Sequence, residues 1–359
     1  MNLFNLPYLA LKEVLNHLSI NHVLFLSLCS KKTKNSIIQI QKWQLKKVER
    51  LNYLIIGKKV SIDVKMVYDC EETTNTMMKL FDIESDFPEY EDGDSVEEVR
   101  VNELGTSFVR SSTNTSDLHA KYCSENLQST IETIHNQLYD LFGQHTKFWL
   151  TSTFQKTCFL PMLRNIQVVE VYGYDFESTR IDEFLSKCTC LQSFSLGLSY
   201  NQDIELRRNS NIFELDNVHV WRCRSLATDV LKYFNGRHAF LAGYSNVVTT
   251  KNVIRFLNEW RTGEKFRNLE VISMDSNFDV RDIRNSVELK EVNTEVVYSF
   301  ATTEFPEPCL TLLDHGEFTS HSYMVRESDG LVASVMLEHY IVFVGVWNLT
   351  EHEFLEKFQ

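Results

Sequence analysis

The residues of this 359-residue chain best able to bind a metal or attack a substrate are its eight cysteines and eleven histidines, and their spacing supports neither chemistry. Cys188-Thr189-Cys190 holds the one close cysteine pair, and no His-Glu-x-x-His segment exists to complete a zinc site. Thiols scattered over the whole length without framework spacing read as reduced, buried side chains. The twelve glycines include no phosphate-cradling loop: Gly57-Lys58-Lys59 lacks the rest of a nucleotide-binding motif, and no Gly-x-Ser-x-Gly elbow occurs. Carboxylates are plentiful but form no recognisable acid–base pair. The expectation is a protein that binds rather than catalyses, with no cofactor and no metal.

Binding residues show first at the N-terminus. Pro7 suits a first helical turn, where its missing N–H is not needed. Leu11, Val14, Leu15 and Leu18 come next at i, i+3, i+4 and i+7, one face of a helix. Ser19 and Asn21 interrupt the pattern. Val23, Leu24, Leu26, Leu28 and Cys29 then crowd apolar side chains more densely than one buried face needs, and a unit of about 40 residues has little interior to hold them. Part of that surface is expected to meet a partner. On spacing alone, an ordinary helical hairpin at the start of a larger domain is the simpler reading. The ordered run of Leu6-Pro7, two apolar helices and Leu28-Cys29-Ser30-Lys31-Lys32-Thr33-Lys34 resembles an F-box, in the form common in nematode families. It departs from many F-boxes at Asn21, where they have Pro, and at Thr33, where they have an aromatic residue. The resemblance implies docking on the Skp-family adaptor, and through it on the cullin, of an SCF-type ubiquitin ligase. The residues implied are Leu6, Pro7, Leu11, Val14, Leu15, Leu18 and Leu24.

Charge divides the chain in the same place. Residues 1–60 carry ten Lys/Arg against two Glu, a charge of +8, and the remainder carries −21. A basic segment can be a solvated helix face or a nucleic-acid patch. An acidic body repels phosphate, so nucleic acid is not expected as a partner, whereas a basic plug would be steered toward an acidic adaptor. With 43% apolar and 24% charged residues the chain can bury a sizeable core. Its apolar start holds Pro7, Lys12 and Glu13 and lacks the marks of a signal peptide, and Glu338 and His339 interrupt the longest later apolar stretch. No membrane partner and a cytoplasmic or nuclear location are expected.

These patterns divide the chain into three regions: a small all-helical F-box at 1–47, a β-rich connection at 48–158, and an irregular leucine-rich-repeat-like body at 159–359, α+β to α/β in class. In the connection, Lys59–Tyr68 and residues 96–110 alternate as half-buried strands do. The acidic run 82–98, with nine carboxylates, and the polar run 111–116 predict exposed loops, the first either simply solvated or a dock for a basic partner. Leu127, Ile131, Ile134, Leu138 and Leu141 predict a helix over 124–142, ended by Gly143.

In the body, Leu163-x-x-Ile166-x-Val168, Leu191-x-x-Phe194-x-Leu196, Leu215-x-x-Val218-x-Val220 and Leu269-x-x-Ile272-x-Met274 fit a leucine-rich pattern, with a degenerate copy at 238–243. Helical spacings alternate with these strands. Such units stack with parallel, neighbouring strands; a non-repetitive α/β domain is the open alternative. Strand residues between core positions face the other way, so Gln167, Ser195, His219 and Ser273 are expected to line up across the strands as a target-binding surface. Asn252-Val253-x-x-Phe256-Leu257-x-x-Trp260, Leu269–Met274, Arg326-Glu327-Ser328-Asp329-Gly330 and Val346-Trp347 resemble the F-box-associated type 2 domain of nematode proteins, which implies target binding by this region. The expected function is recruitment of an unknown protein target to an SCF ligase. The alternatives are a non-degradative F-box adaptor or scaffold, and a leucine-rich interaction protein with no ligase link.

Overall fold

The computed structural model describes residues 6–68, 71–82, 97–101, 106–110, 118–122, 124–154, 159–174, 177–198, 203–243, 248–300 and 316–358. The chain forms two compact units. The first runs to Phe154 and takes in Phe159–Gln167, and the second holds Val168–Gln359.

The first unit opens with four helices, α1 (Tyr8–Asn16), α2 (Ile20–Cys29), α3 (Lys31–Ile40) and α4 (Lys42–Leu45). Pro7 precedes the first helical turn as its fixed φ allows. The Ser30 hydroxyl accepts from the Thr33 N–H at 3.1 Å and starts α3. Gln41, buried between α3 and α4, donates to the Leu15 carbonyl and, at 3.0 Å, to Gln44, which ties α4 to the end of α1. The sheet after these helices has the order β7-β1-β2-β3-β6-β5-β4. Its strands are β1 (Val48–Ile56), β2 (Lys59–Tyr68), β3 (Glu71–Asp82), β4 (Glu97–Val101), β5 (Thr106–Arg110), β6 (Leu118–Tyr122) and β7 (Lys147–Phe154). β1, β2 and β3 are antiparallel, and β7 lies parallel to β1. The alternation at 96–110 resolves into the hairpin β4–β5; most of the acidic run and all of the polar run lie outside the described residues.

One face of this sheet is core: Leu51, Tyr53, Ile55, Ile62, Val64, Phe148 and Leu150 are all buried. Helix α5 (Leu127–Phe142) lies on that face and ends at Gly143, and its His135 links the two layers. The Arg164 carbonyl can only accept, so His135 donates to it from Nε2 (2.8 Å), which leaves Nδ1 to accept the Tyr53 hydroxyl, also at 2.8 Å. Burial holds the His135 pKa down at about 4, so the ring is neutral. The dense apolar surface of α2 is met here by the chain itself, since α2 packs on α5 and β3 as well as on α3.

The second unit's sheet has the order β8-β9-β10-β11-β12-β16-β15-β14-β13. β8 (Ile166–Gly173, joining this unit from Val168), β9 (Ser193–Leu198), β10 (Asn217–Trp221), β11 (His238–Ala242) and β12 (Val271–Asp275) are parallel neighbours. Between them run α6 (Ser178–Lys187), α7 (Arg224–Tyr233) and α8 (Thr250–Thr262), each burying the apolar stripe its spacing predicts. A short helix, α9 (Val280–Ser286), leads to the antiparallel strands β13 (Lys290–Ser299), β14 (Glu317–Val325), β15 (Leu331–Leu337) and β16 (Ile341–Thr350), and α10 (Glu351–Phe358) ends the chain's described part. The strands on both sides of α7 and α8 are buried almost throughout, as in sheets covered on two faces, although they carry polar residues such as Ser195, His219 and Ser273.

The strand register corrects one copy of the repeat. Phe194 faces Val218, Val218 faces Ala239 and Ala239 faces Ile272, so these positions form one row across four parallel strands. On β8, however, the partner of Phe194 is Val169, not Ile166. The first copy therefore reads Ile166-x-x-Val169-x-Val171, three residues later than the sequence pattern suggests. Residues 163, 166, 168, 169 and 171 are all apolar, which allows either frame, and pairing with β9 decides between them.

Candidate functional site

The N-terminal helices present the largest set of exposed apolar side chains. Leu9 is 77% exposed, Tyr8 62% and Val14 41% on α1, and Trp43 is 76% exposed on α4. Four of the eight large apolar side chains exposed among the described residues lie on these helices, which makes this segment the first place to look for a surface that a partner covers. The seven residues read from the sequence divide by burial. Pro7 and Val14 are exposed, Leu6 and Leu18 are half-buried, and Leu11, Leu15 and Leu24 lie in the core. Leu24 is fully buried, so it shapes α2 and is not available to touch a partner. Leu9 escapes the sequence pattern because it lies off the i, i+3, i+4, i+7 stripe, whereas Tyr8 continues that stripe one turn earlier and Trp43 sits on another helix. An exposed apolar residue on a helix's polar side leaves no periodicity to find.

Around these side chains the surface is basic, with Lys12, Lys31, Lys32, Lys42 and Lys46 all exposed. Lys34 is turned inward instead, donating at 2.9 Å to both Gln137 and Asp140 of α5. Asn21, buried where a proline is common in the resembling family, donates to the Thr76 carbonyl of β3 at 3.4 Å. A proline carries no amide with which to make that contact.

Residues 3–45 are an F-box domain. The match stops where α4 ends, so the F-box of this chain is α1 to α4 together with the Leu6-Pro7 entry. No curated protein and no solved structure matches the chain. The F-box's exposed residues and its buried ones thus carry different duties: Tyr8, Leu9, Val14 and Trp43 face outward, while Leu11, Leu15, Val23, Leu24 and Ile37 hold the helices together.

The four residues expected to bind a target sit elsewhere. Ser195 faces His219, and Ser273 aligns with them through Phe240, so three of the four share one row across neighbouring strands. Glu170, not Gln167, completes that row on β8. Gln167 instead accepts the Phe148 N–H at 2.6 Å and is half-buried. The row is not an open surface: Ser195, His219 and Ser273 are all buried. Ser195 and His219 tolerate burial because they satisfy each other, Ser195 Oγ lying 2.9 Å from His219 Nδ1. Burial lowers the His219 pKa to about 4, which keeps the pair neutral.

The two C-terminal motifs prove to lock each other. Val253, Phe256, Leu257 and Trp260 are fully buried on α8. The Arg326 guanidinium, 2% exposed, lies 5.2 Å from the Trp260 ring centre and donates to the Phe266 and Arg267 carbonyls at 3.4 Å. Asp329 closes the cluster with contacts of 2.8 to 3.1 Å, and that pairing holds its carboxyl below the usual range. Gly263 ends α8 at φ +76°, and a side chain there would strike Ser328. These motif residues build the fold. Among the described residues, no group of three or more His, Cys, Asp or Glu could hold a metal ion, and no helix is long and apolar enough to cross a membrane. Cys29, Cys188, Cys190 and Cys223 are free thiols, of which Cys29 and Cys190 are exposed rather than buried.

Proposed function

We propose that this chain is the substrate-recruiting subunit of an SCF-type, cullin–RING ubiquitin ligase. The F-box at residues 3–45 carries the reading, because F-box domains bind Skp-family adaptors and, through them, cullin. The exposed Tyr8, Leu9 and Val14 are apolar side chains that such an adaptor could cover, and the surrounding lysines would steer an acidic partner toward them. In this reading residues 159–359 act as a leucine-rich-repeat-like, nematode-type F-box-associated type 2 domain that holds a target protein. The chain works by binding, in the cytoplasm or nucleus, and performs no chemistry itself.

Recovery of the full chain from cells, with blotting for adaptor and cullin, tests this directly. Both partners should be present. Adaptor without cullin would favour a non-degradative scaffold, and neither partner would leave a leucine-rich interaction protein. Replacing Leu6 and Pro7 together by Ala should weaken adaptor capture, since anchors at an interface core commonly contribute over about 1 kcal/mol each. Undiminished capture by a folded double variant would remove these two residues from the interface.

A further inference from the structure

Two thiols of the second unit lie next to each other in a turn. Cys188 ends α6, its N–H donating to the Phe184 carbonyl at 3.1 Å, and the chain then turns through Thr189 and Cys190 before β9 begins at Ser193. Even along a strand, two residues span only about 6.8 Å, and a turn brings them nearer. The two Cα atoms therefore fall within the roughly 4.4–6.8 Å that a disulfide bridges. Both thiols are free, Cys190 exposed and Cys188 half-buried, so neither is the fully buried side chain that scattered cysteines lead one to expect. Cys29, also exposed, has no such neighbour in the sequence, and Cys223 is buried.

The members of this pair are not equivalent. Burial, and after it the neighbouring Cys190, push the Cys188 thiol up to about 11, and its place at the C-terminal end of a helix also disfavours a negative sulfur. Cys188 is a protonated thiol at neutral pH. Cys190 stands in solvent, where an oxidant meets it first. Among the described residues no third His, Cys, Asp or Glu joins the pair in a group able to hold a metal ion, so it lacks the four donors of a structural zinc site. Two neighbouring thiols without further ligands can still give up two electrons and bond to each other.

We propose that Cys188 and Cys190 form a reversible dithiol–disulfide site whose oxidant is a hydroperoxide, hydrogen peroxide being the simplest. Cys190, as its thiolate, attacks one peroxide oxygen. The O–O bond breaks, Cys190 becomes a sulfenic acid, and the hydroxide that leaves takes up the proton Cys190 had released and becomes water. With Cys190 now a neutral sulfenic acid, the neighbour that opposed ionisation of Cys188 is gone. Cys188 then attacks the Cys190 sulfur: the S–S bond forms, the S–O bond breaks, and hydroxide departs with the Cys188 proton as a second water. Two thiols and one hydrogen peroxide thus give one disulfide and two waters. A bridge over a single intervening residue constrains the unfolded chain little, and an exposed bridge is readily reduced again by a small thiol such as glutathione. The site is a switch rather than a staple, and it stands or falls independently of adaptor binding.

Trypsin makes the test direct on the full chain, because cleavage after Lys187 and Arg207 releases residues 188–207 as one peptide that holds Cys188 and Cys190 and no other cysteine. The folded protein is exposed briefly to hydrogen peroxide, then denatured, blocked with maleimide, digested and weighed by mass spectrometry. The peptide should carry no maleimide and be lighter by two hydrogen atoms, and dithiothreitol given before blocking should return both thiols. Cys188→Ser should stop at the sulfenic acid on Cys190, which dimedone traps, whereas the wild type should yield little of that adduct. Cys190→Ser should leave Cys188 open to maleimide. The proposal is overturned if the wild-type peptide carries two maleimides under peroxide that oxidises Cys29, or if Cys190 advances to the sulfinic acid while Cys188 stays reduced. A bridge that joins two chains on a non-reducing gel, or loss of the Cys188 thiol to the same extent in Cys190→Ser, overturns it as well. Circular dichroism before oxidation establishes that each serine variant is folded.

Discussion

Arg326 and His135 are polar groups whose interior placement makes each a sensitive reporter. Arg326 can stay buried only while Asp329 balances it, so Asp329→Ala should lower unfolding free energy by about 3–5 kcal/mol, the loss typical of an uncompensated buried charge. Removing both charges, with Arg326→Met and Asp329→Ala together, should restore much of that loss. Denaturant melts of the two variants measure the difference, and equal stabilities would show that an unpaired Arg326 carries no penalty. For His135 the sign comes from its lowered pKa. The unfolded ring titrates near 6.5 and the folded ring at about 4, so between those values the unfolded chain binds more protons and stability rises with pH. The contribution is complete above about pH 6.5 and is lost as pH falls toward 4. His219 behaves in the same way. At pH 5 each ring should have lost roughly 1–2 kcal/mol relative to neutral pH. Replacing His135 with Gln should flatten this part of the pH–stability curve, and an unchanged slope would assign the acid sensitivity to other groups.

At the level of elements, burial separates what the F-box helices owe to folding from what they owe to a partner. Leu24→Ala should destabilise by about 2–5 kcal/mol through the cavity it leaves. Leu9→Ser removes an exposed side chain and should leave stability within about 0.5 kcal/mol. Adaptor capture should be the property that Leu9→Ser reduces; capture equal to the wild type would remove this part of α1 from the interface. The sequence shows the first of these residues more readily than the second. Helices α5 to α8 were legible because each buries a stripe at helical spacing, and the parallel strands because Phe194, Val218 and Ile272 repeat one local pattern. The frame of β8 was not legible, since five apolar residues between 163 and 171 permit two alignments and only hydrogen bonding to β9 selects one. Nor was the interior position of Ser195 and His219: polar residues on alternate strand positions read as surface, and only their mutual hydrogen bond makes burial tolerable.

On the scale of the whole first unit, the F-box is continuous with the sheet and with α5. Helix α2 covers its apolar surface on α5 and β3, Asn21 reaches the β3 backbone, and the Lys34 ammonium sits between Gln137 and Asp140. Residues 1–47 taken alone would expose the part of α2 that now packs on α5 and β3, and a chain so short buries too little surface to make up the loss. Excised, that segment should show partial helix and a broad, non-cooperative thermal transition by circular dichroism. Residues 1–167, which include α5 and all seven strands of the sheet, should melt cooperatively. The same coupling gives adaptor binding a reach beyond the F-box. A partner that binds only the folded unit stabilises all of it, by about 2.7 kcal/mol at a hundredfold excess over Kd. Amide exchange in α5 and β3, neither of which belongs to the F-box, should therefore slow on adding adaptor wherever exchange requires unfolding of the whole unit. Protection confined to α1–α4, or a sharp melt of residues 1–47 by themselves, would show that the F-box folds as a detachable module and that its packing on α5 carries no stability.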